Sequence, residues 1–191
     1  FGCSRFTRNK HSWHGQKVVI PSRALGELQR LLNQGDEVTL CLAEDRATFA
    51  VGNATLSTSL LQVEFPNYRQ LIQPSYPNTL TVAREALLEA VRRCRIFARE
   101  TTPVRLEMTA TSLKLSVITQ DIGNSEEEID CSLEGTEMTV GFNPEYLAAG
   151  IEAVTGDEIT IQTTDPQRPA VLRGVGAEDY LYLVMPQRLT V

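Results

Sequence analysis

Histidine and tryptophan are nearly absent from this chain. Its 191 residues hold two histidines, His11 and His14, and one tryptophan, Trp13. With no histidine past residue 14, a histidine-based acid–base or nucleophile relay lacks its central group. The phosphate loop G-x-x-x-x-G-K-[ST], the nucleophile elbow G-x-S-x-G and the zinc helix H-E-x-x-H are missing too. His11 and His14 stand at H-x-x-H spacing, but no cysteine or carboxylate cluster lies near them, so no metal site and no cofactor is expected. Four cysteines, Cys3, Cys41, Cys94 and Cys131, are widely spaced and form no C-x-x-C pair. Cys41 and Cys94 fall at apolar positions, so buried free thiols in a reducing cytoplasm are expected.

Long apolar runs are also lacking. None approaches the roughly 20 residues of a membrane-crossing helix. The chain starts at Phe1 without a charged stretch leading into an apolar one, so a truncated or processed start with no secretory leader is expected. Hydrophobic residues make up 42% and charged residues 22%, a balance that supports a packed core. Net charge is −6, yet residues 1–16 carry Arg5, Arg8 and Lys10 and no acid, which leaves −9 on the remainder. An acidic body argues against indiscriminate polyanion binding but leaves room for a local basic face.

What is present is a repeat. Three times an extended apolar segment runs into an amphipathic helix: Val18-Val19-Ile20 before Leu25, Leu80-Thr81-Val82 before Leu87, and Met138-Thr139-Val140 before Leu147. These begin about 60 residues apart and each helix is followed by alternating strand-like segments, so each unit reads β-α-β-β-β. Residues 1–16 show no periodicity and read as an irregular N-terminal segment. Residues 17–64 hold the first unit, with a strand at 17–20, Ser22 as N-cap, a buried stripe of Leu25, Leu28 and Leu32, and strands at 37–43, 46–51 and 54–60. Residues 65–78, with Pro66, Pro74 and Pro77, read as a connector. Residues 79–191 hold the other two units, with helices at 84–99 and from Asn143-Pro144 onward, an N-cap followed by proline at the first helical position. Antiparallel sheets with helices on one face must hide that face. Two units make a two-layer domain, so the third lacks a mate and is expected to expose apolar surface.

Three features could carry function. On a helical wheel Arg84, Arg92, Arg95 and Arg99 fall within an arc of about 80° that contains Leu88 and no carboxylate. A solvated face explains this, and so does a strip that contacts phosphates. Glu126, Glu127, Glu128 and Asp130 form the densest acidic run. Alternation with Ile129 and Cys131 suggests a charged edge strand, while a metal-dependent hydrolase or nuclease would use such clustered carboxylates. Tyr180–185 is apolar and ends in Met185-Pro186, which reads either as a terminal core strand or as a pliable groove for a short peptide, where proline stops pairing with a neighbour strand. Asp165 and other aspartates beside turns need only a turn role.

The segment Tyr182-Leu183-Val184-Met185-Pro186-Gln187-Arg188-Leu189 closely resembles the closing motif of the bacterial DNA polymerase III β subunit, the sliding clamp family. Phe65-Pro66-Asn67-Tyr68-Arg69 is similar to that family's F-P-D-Y-R. Val18-Val19-Ile20-Pro21 and Gly141-Phe142-Asn143-Pro144-Glu145-Tyr146-Leu147 match two further segments, so the resemblance spans residues 17–189. It implies an α+β DNA clamp fold of repeated β-α-β-β-β units, with antiparallel sheets outside and helices on the inner face. It also implies that residues 17–64 are half of the second clamp domain and 79–191 the third. The implied function is a non-enzymatic processivity factor that encircles duplex DNA without reading its sequence and tethers polymerase, clamp loader and repair proteins through short linear motifs. In full length it would be a cytoplasmic homodimeric ring, away from membranes. A chain limited to these units is not expected to close the normal ring. The implied DNA-facing residues are Arg84, Arg92, Arg95 and Arg99. The implied peptide groove takes Pro66 and Leu71 from the connector, Gln167 and Pro169 from a turn, and Leu183, Val184, Met185, Pro186, Gln187, Arg188 and Leu189 from the C-terminal segment. Gln70, Ala83, Thr190 and Val191 depart from the family pattern, and residues 1–10 do not match its T-D-G-x-R-L groove wall. A protein-interaction scaffold without DNA contact is the remaining alternative.

Overall fold

The computed structural model describes residues 2–7 (backbone only), 17–35, 37–98, 102–119, 123–177 and 180–189. It divides into two compact units, Phe1–Asn67 and Tyr68–Val191.

In the first unit a four-stranded antiparallel sheet has the order β1 (Gly2–Thr7), β2 (Glu37–Leu42), β3 (Arg46–Val51), β4 (Ala54–Ser59). Period-two alternation on β3 buries Ala47, Phe49 and Val51, and Ala47 and Phe49 join Leu40, Leu42 and Leu60 in a small core. Helix α1 (Ser22–Leu31) lies over it, followed by one 3-10 turn at Leu32–Gln34. The strand expected at 17–20 is reduced to a single bridge between Val19 and Leu61.

Several expectations change here. Residues 1–16 were expected to be irregular, but Gly2–Thr7 pair with β2 over its full length, satisfying the backbone groups of what would otherwise be an open edge. His11, Trp13 and His14 lie outside the described residues. Ser22 is the first helical residue rather than the N-cap; Pro21 holds the cap position and no side chain caps the helix. The stripe of Leu25 and Leu32 is 46% and 44% exposed, and Ala24 is the buried residue of α1. The sheet alone covers part of an apolar stripe that a second packed helix would complete. Cys41, expected as a free thiol, is disulfide-bonded, and the register sets the backbone of Cys3 opposite it. Cys94 is free and buried as expected, and Cys131 is free and partly buried.

The second unit holds two complete repeats. The first is β5 (Asn78–Ala83), α2 (Arg84–Arg95), β6 (Val104–Met108), β7 (Ser112–Thr119) and β8 (Gly123–Glu134). The second is β9 (Met138–Phe142), α3 (Pro144–Ala153), β10 (Glu158–Thr163), β11 (Ala170–Gly174) and the short β12 (Tyr182–Val184), followed by β13 (Pro186–Gln187). All ladders are antiparallel, in the order β12-β11-β10-β5-β8-β7-β6-β9-β13. The repeats exchange strands: β5 opens the first and pairs with β10 of the second, while β9 opens the second and pairs with β6 of the first. Two sheets result, joined by β8, which pairs with β7 along 123–130 and with β5 along 131–134.

The acidic strand β8 is therefore interior to the sheet, not an edge. Its carboxylates Glu126, Glu128 and Asp130 occupy the exposed face, and the intervening residues face inward. At the C-terminus pairing does not stop at Pro186. The chain leaves β11 after Val184, passes through exposed Met185, and Pro186 and Gln187 pair with Phe142 and Gly141 of β9. Helix α2 ends at Arg95 rather than 99, and Ile96 and Phe97 turn away. Both helices pack together over one core containing Leu87, Leu88, Val91, Leu147, Ile151 and the inward residues of the strands. No helix among the described residues is long and apolar enough to cross a membrane.

Candidate partner cleft and nucleic-acid interface

The two-sheet switch at Met185 builds a cleft of about 530 Å³ lined by Thr139, Gly141, Pro166, Gln167, Pro186, Gln187, Arg188 and Leu189. Its floor depends on a missing side chain. A Cβ on Gly141 would stand 2.6 Å from Leu189 Cδ2 and 2.9 Å from the Gln187 carbonyl, so the C-terminal segment reaches β9 because that residue is glycine. The opposite wall is a turn fixed by Asp165, whose Oδ1 accepts from the backbone N–H of Gln167 at 2.8 Å and of Arg168 at 3.1 Å. Asp165 thus has the turn role expected of it. Gln187 Oε1 is buried without a hydrogen-bond partner.

Five of the expected groove residues, Gln167, Pro186, Gln187, Arg188 and Leu189, line this cleft together. The others do not. Val184 is buried in the core, Leu183 is partly buried, and Met185 and Leu71 are exposed. Pro169 lies just past the turn wall and is partly buried. Pro66 is exposed in the first unit. Thr139, Gly141 and Pro166 were missed. Gly141 had a local signal, a glycine inside an apolar strand, which often marks close backbone approach.

The second surface is the rim of α2. Arg92 and Arg95 project from it half-exposed. The arc they share is not free of carboxylates, because α3 supplies them. Arg92 Nη2 donates to Glu152 Oε1 at 2.9 Å, and Arg95 Nε pairs with Glu145 Oε1 at 2.5 Å. Leu88, at the centre of the arc, is 3% exposed, so the arginines flank a packed helix–helix seam. Arg84 is tied down at the base of α2: its Nε donates to the Gly156 carbonyl at 2.9 Å and its Nη2 pairs with Glu85 at 3.1 Å. Arg99 lies outside the described residues. Helix α3 begins as expected, with Asn143 Oδ1 accepting from the backbone N–H of Glu145 and of Tyr146 and with Pro144 at the first helical position. That cap sets where Glu145 meets Arg95.

The acidic run does not converge on a common point. Glu126 pairs with Lys114 at 2.8 Å across the sheet, while Glu127 faces the opposite side and takes two hydrogen bonds from Arg93. Those bonds hold the Glu127 carboxyl below the usual carboxylate range, against a smaller opposing effect of burial. Among the described residues no group of three or more His, Cys, Asp or Glu side chains is placed to hold a metal ion.

Comparison with known proteins accounts for both units. The family described as DNA polymerase III beta subunit, C-terminal domain, matches residues 69–188. The central domain of the same subunit matches residues 4–67, so the match includes residues 4–16, where no family pattern was expected. The beta sliding clamp of Synechococcus elongatus is 33% identical over 178 residues, 90% of this chain and 48% of that protein. That of Treponema pallidum is 27% identical over 176 residues, 90% of this chain and 47% of its own length. The crystal structure of the Bartonella birtlesii sliding clamp bound to griselimycin superposes with a TM-score of 0.83 at 30% identity, covering 90% of this chain and 47% of that one. The Caulobacter crescentus polymerase III beta structure gives 0.81 at 25% identity, with the same coverage. The chain spans about half the length of the curated relatives it matches. It belongs to the DNA polymerase III beta subunit family, the bacterial sliding clamps.

Proposed function

We propose that this chain supplies part of a DNA polymerase processivity factor, a cytoplasmic clamp that encircles duplex DNA and holds replication proteins to it without breaking bonds itself. The observation that carries the reading is the family match over both units, coupled to a two-repeat fold with both helices over one core. In this reading α2 presents Arg92 and Arg95 to the phosphate backbone, with Arg84 at the start of the same helix. Contacts of that kind are independent of base sequence, and their strength falls with salt, which suits a protein that must slide.

The cleft beside Gln167 and 186–189 takes short linear motifs of polymerase, clamp loader or repair proteins, with Met185, Leu183 and Leu71 of the same unit as further apolar contacts. The open, part-apolar shape of the cleft and the pliable thioether of Met185 support this use. In full length the protein would form a homodimeric ring. The carboxylates of β8 are split between the two faces of the sheet, Glu126 on the exposed face paired with Lys114 and Glu127 on the other paired with Arg93, which gives a nuclease reading no support.

Titrating the chain into a labelled duplex at rising salt tests the DNA side. Wild type should bind more weakly as salt rises, and Arg92→Ala/Arg95→Ala should bind less at every salt concentration with a shallower slope. Equal curves for the two proteins would remove α2 from the DNA surface.

A further inference from the structure

We infer that Glu145 and Glu152 of α3 act as built-in competitors for DNA phosphate, setting how tightly the arginines of α2 can grip. The inference rests on the proposed DNA role of α2 and goes one step beyond it. Arg92 and Arg95 are the two arc arginines whose guanidinium groups stand half-exposed among the described residues. Each already has a carboxylate in the position a phosphate oxygen would take, at 2.9 Å and 2.5 Å. Both carboxylates come from the neighbouring helix rather than from α2, and both are themselves about half-exposed. They are held by packing: α3 is fixed against α2 by Leu147 and Ile151, fully buried in the shared core, and its start is fixed by the Asn143 cap.

A phosphate approaching this rim therefore meets arginines that must give up one anion to accept another. The exchange is nearly neutral in charge count, so each contact is weak and quickly broken. A free arginine would hold a phosphate with a forked, charge-assisted pair. Exposed pairs of this type are individually modest, so displacement is within reach of a polyanion. In this chain the carboxylates lower friction on the backbone. Arg84, bonded to the Gly156 carbonyl, is outside this exchange.

The test compares duplex binding by wild type, Glu152→Gln, Glu145→Gln/Glu152→Gln and a charge-matched control, Glu126→Gln/Glu128→Gln. The control removes two carboxylates from the exposed sheet face and leaves α2 untouched. At about 50 mM salt, affinity should rise roughly two- to fivefold for each released arginine. The salt slope should steepen by about 0.9 for each phosphate newly engaged. Because Glu145 sits in the first turn of α3, where an acid supports the helix, Glu152→Gln alone gives a reading free of any loss of fold. An equal gain in the sheet-face control would make the effect one of net charge and overturn the inference. No gain in either α3 variant, with binding still lost in Arg92→Ala/Arg95→Ala, would overturn it while leaving the DNA role standing. Absence of duplex binding by all of these proteins would overturn both.

Discussion

The ring of Tyr182 occupies the space that a side chain at position 150 would need. An ideal Cβ on Gly150 would lie 2.5 Å from Tyr182 Cδ1 and 2.7 Å from Cε1. A helical glycine thus lets the aromatic of β12 lie flat on α3, just before the strand switch that makes the cleft. Gly150→Ala should destabilise the second unit by about 1–3 kcal/mol through overpacking. Adding Tyr182→Phe should not restore the loss, whereas Tyr182→Ala should recover part of it. Thermal unfolding of the three variants checks this.

Asn78 is a buried polar hub at the start of β5, 4% exposed. Its Nδ2 donates to the carbonyls of Thr163 and Thr164, and its Oδ1 accepts from the Thr136 N–H at 2.8 Å. The residue ties the ends of β5 and β10 to the turn after β8. Asn78→Ala strands these backbone groups, at a cost of about 2–4 kcal/mol. A lowered urea midpoint with an unchanged m-value is the expected result.

Glu127 gives a pH signature. Its folded pKa is lowered, chiefly by the Arg93 hydrogen bonds. Its stabilising contribution is therefore present above the ordinary glutamate value of about 4.3 and is lost as pH falls through the lower folded value. The melting temperature of wild type should exceed that of Glu127→Gln at pH 6, and the gap should shrink below pH 4. A gap that stays constant to pH 3 would show that the pair is not what separates the two proteins.

Much of this was legible in the sequence. Period-two alternation located β3, β6 and β7, and Asn143-Pro144 placed the start of α3, because caps and strand faces are local physics. The placement of Arg84, Arg92 and Arg95 on α2 was legible too, but not their neutralisation, since Glu145 lies 50 residues beyond Arg95 and Glu152 lies 60 beyond Arg92, and both meet α2 only through helix packing. Strand β8 read as an edge because alternation reveals which face is wet and is silent on what lies to either side. Asn78 looked like the end of a proline-rich connector; only pairing of β5 with both β8 and β10 buries it. The sheet switch at Met185 likewise depends on β9 offering Gly141, a relationship no local window contains.

Cysteine chemistry offers a direct chemical check. Denatured in urea without reductant, the chain should alkylate at Cys94 and Cys131, and at Cys41 only after reduction. Alkylation of Cys41 before reduction would remove the disulfide.

In the proposed function the C-terminal strand switch presents a docking cleft for replication proteins. The most direct measurement is fluorescence anisotropy of a labelled peptide carrying a replicative polymerase's clamp-binding segment, titrated with this chain and with Gly141→Val. A valine at 141 would collide with Leu189 and the Gln187 carbonyl, displacing the segment that lines the cleft. Saturable binding by wild type, weakened at least tenfold in a Gly141→Val protein that still melts cooperatively, is the predicted result. Identical binding curves for the two folded proteins would contradict it.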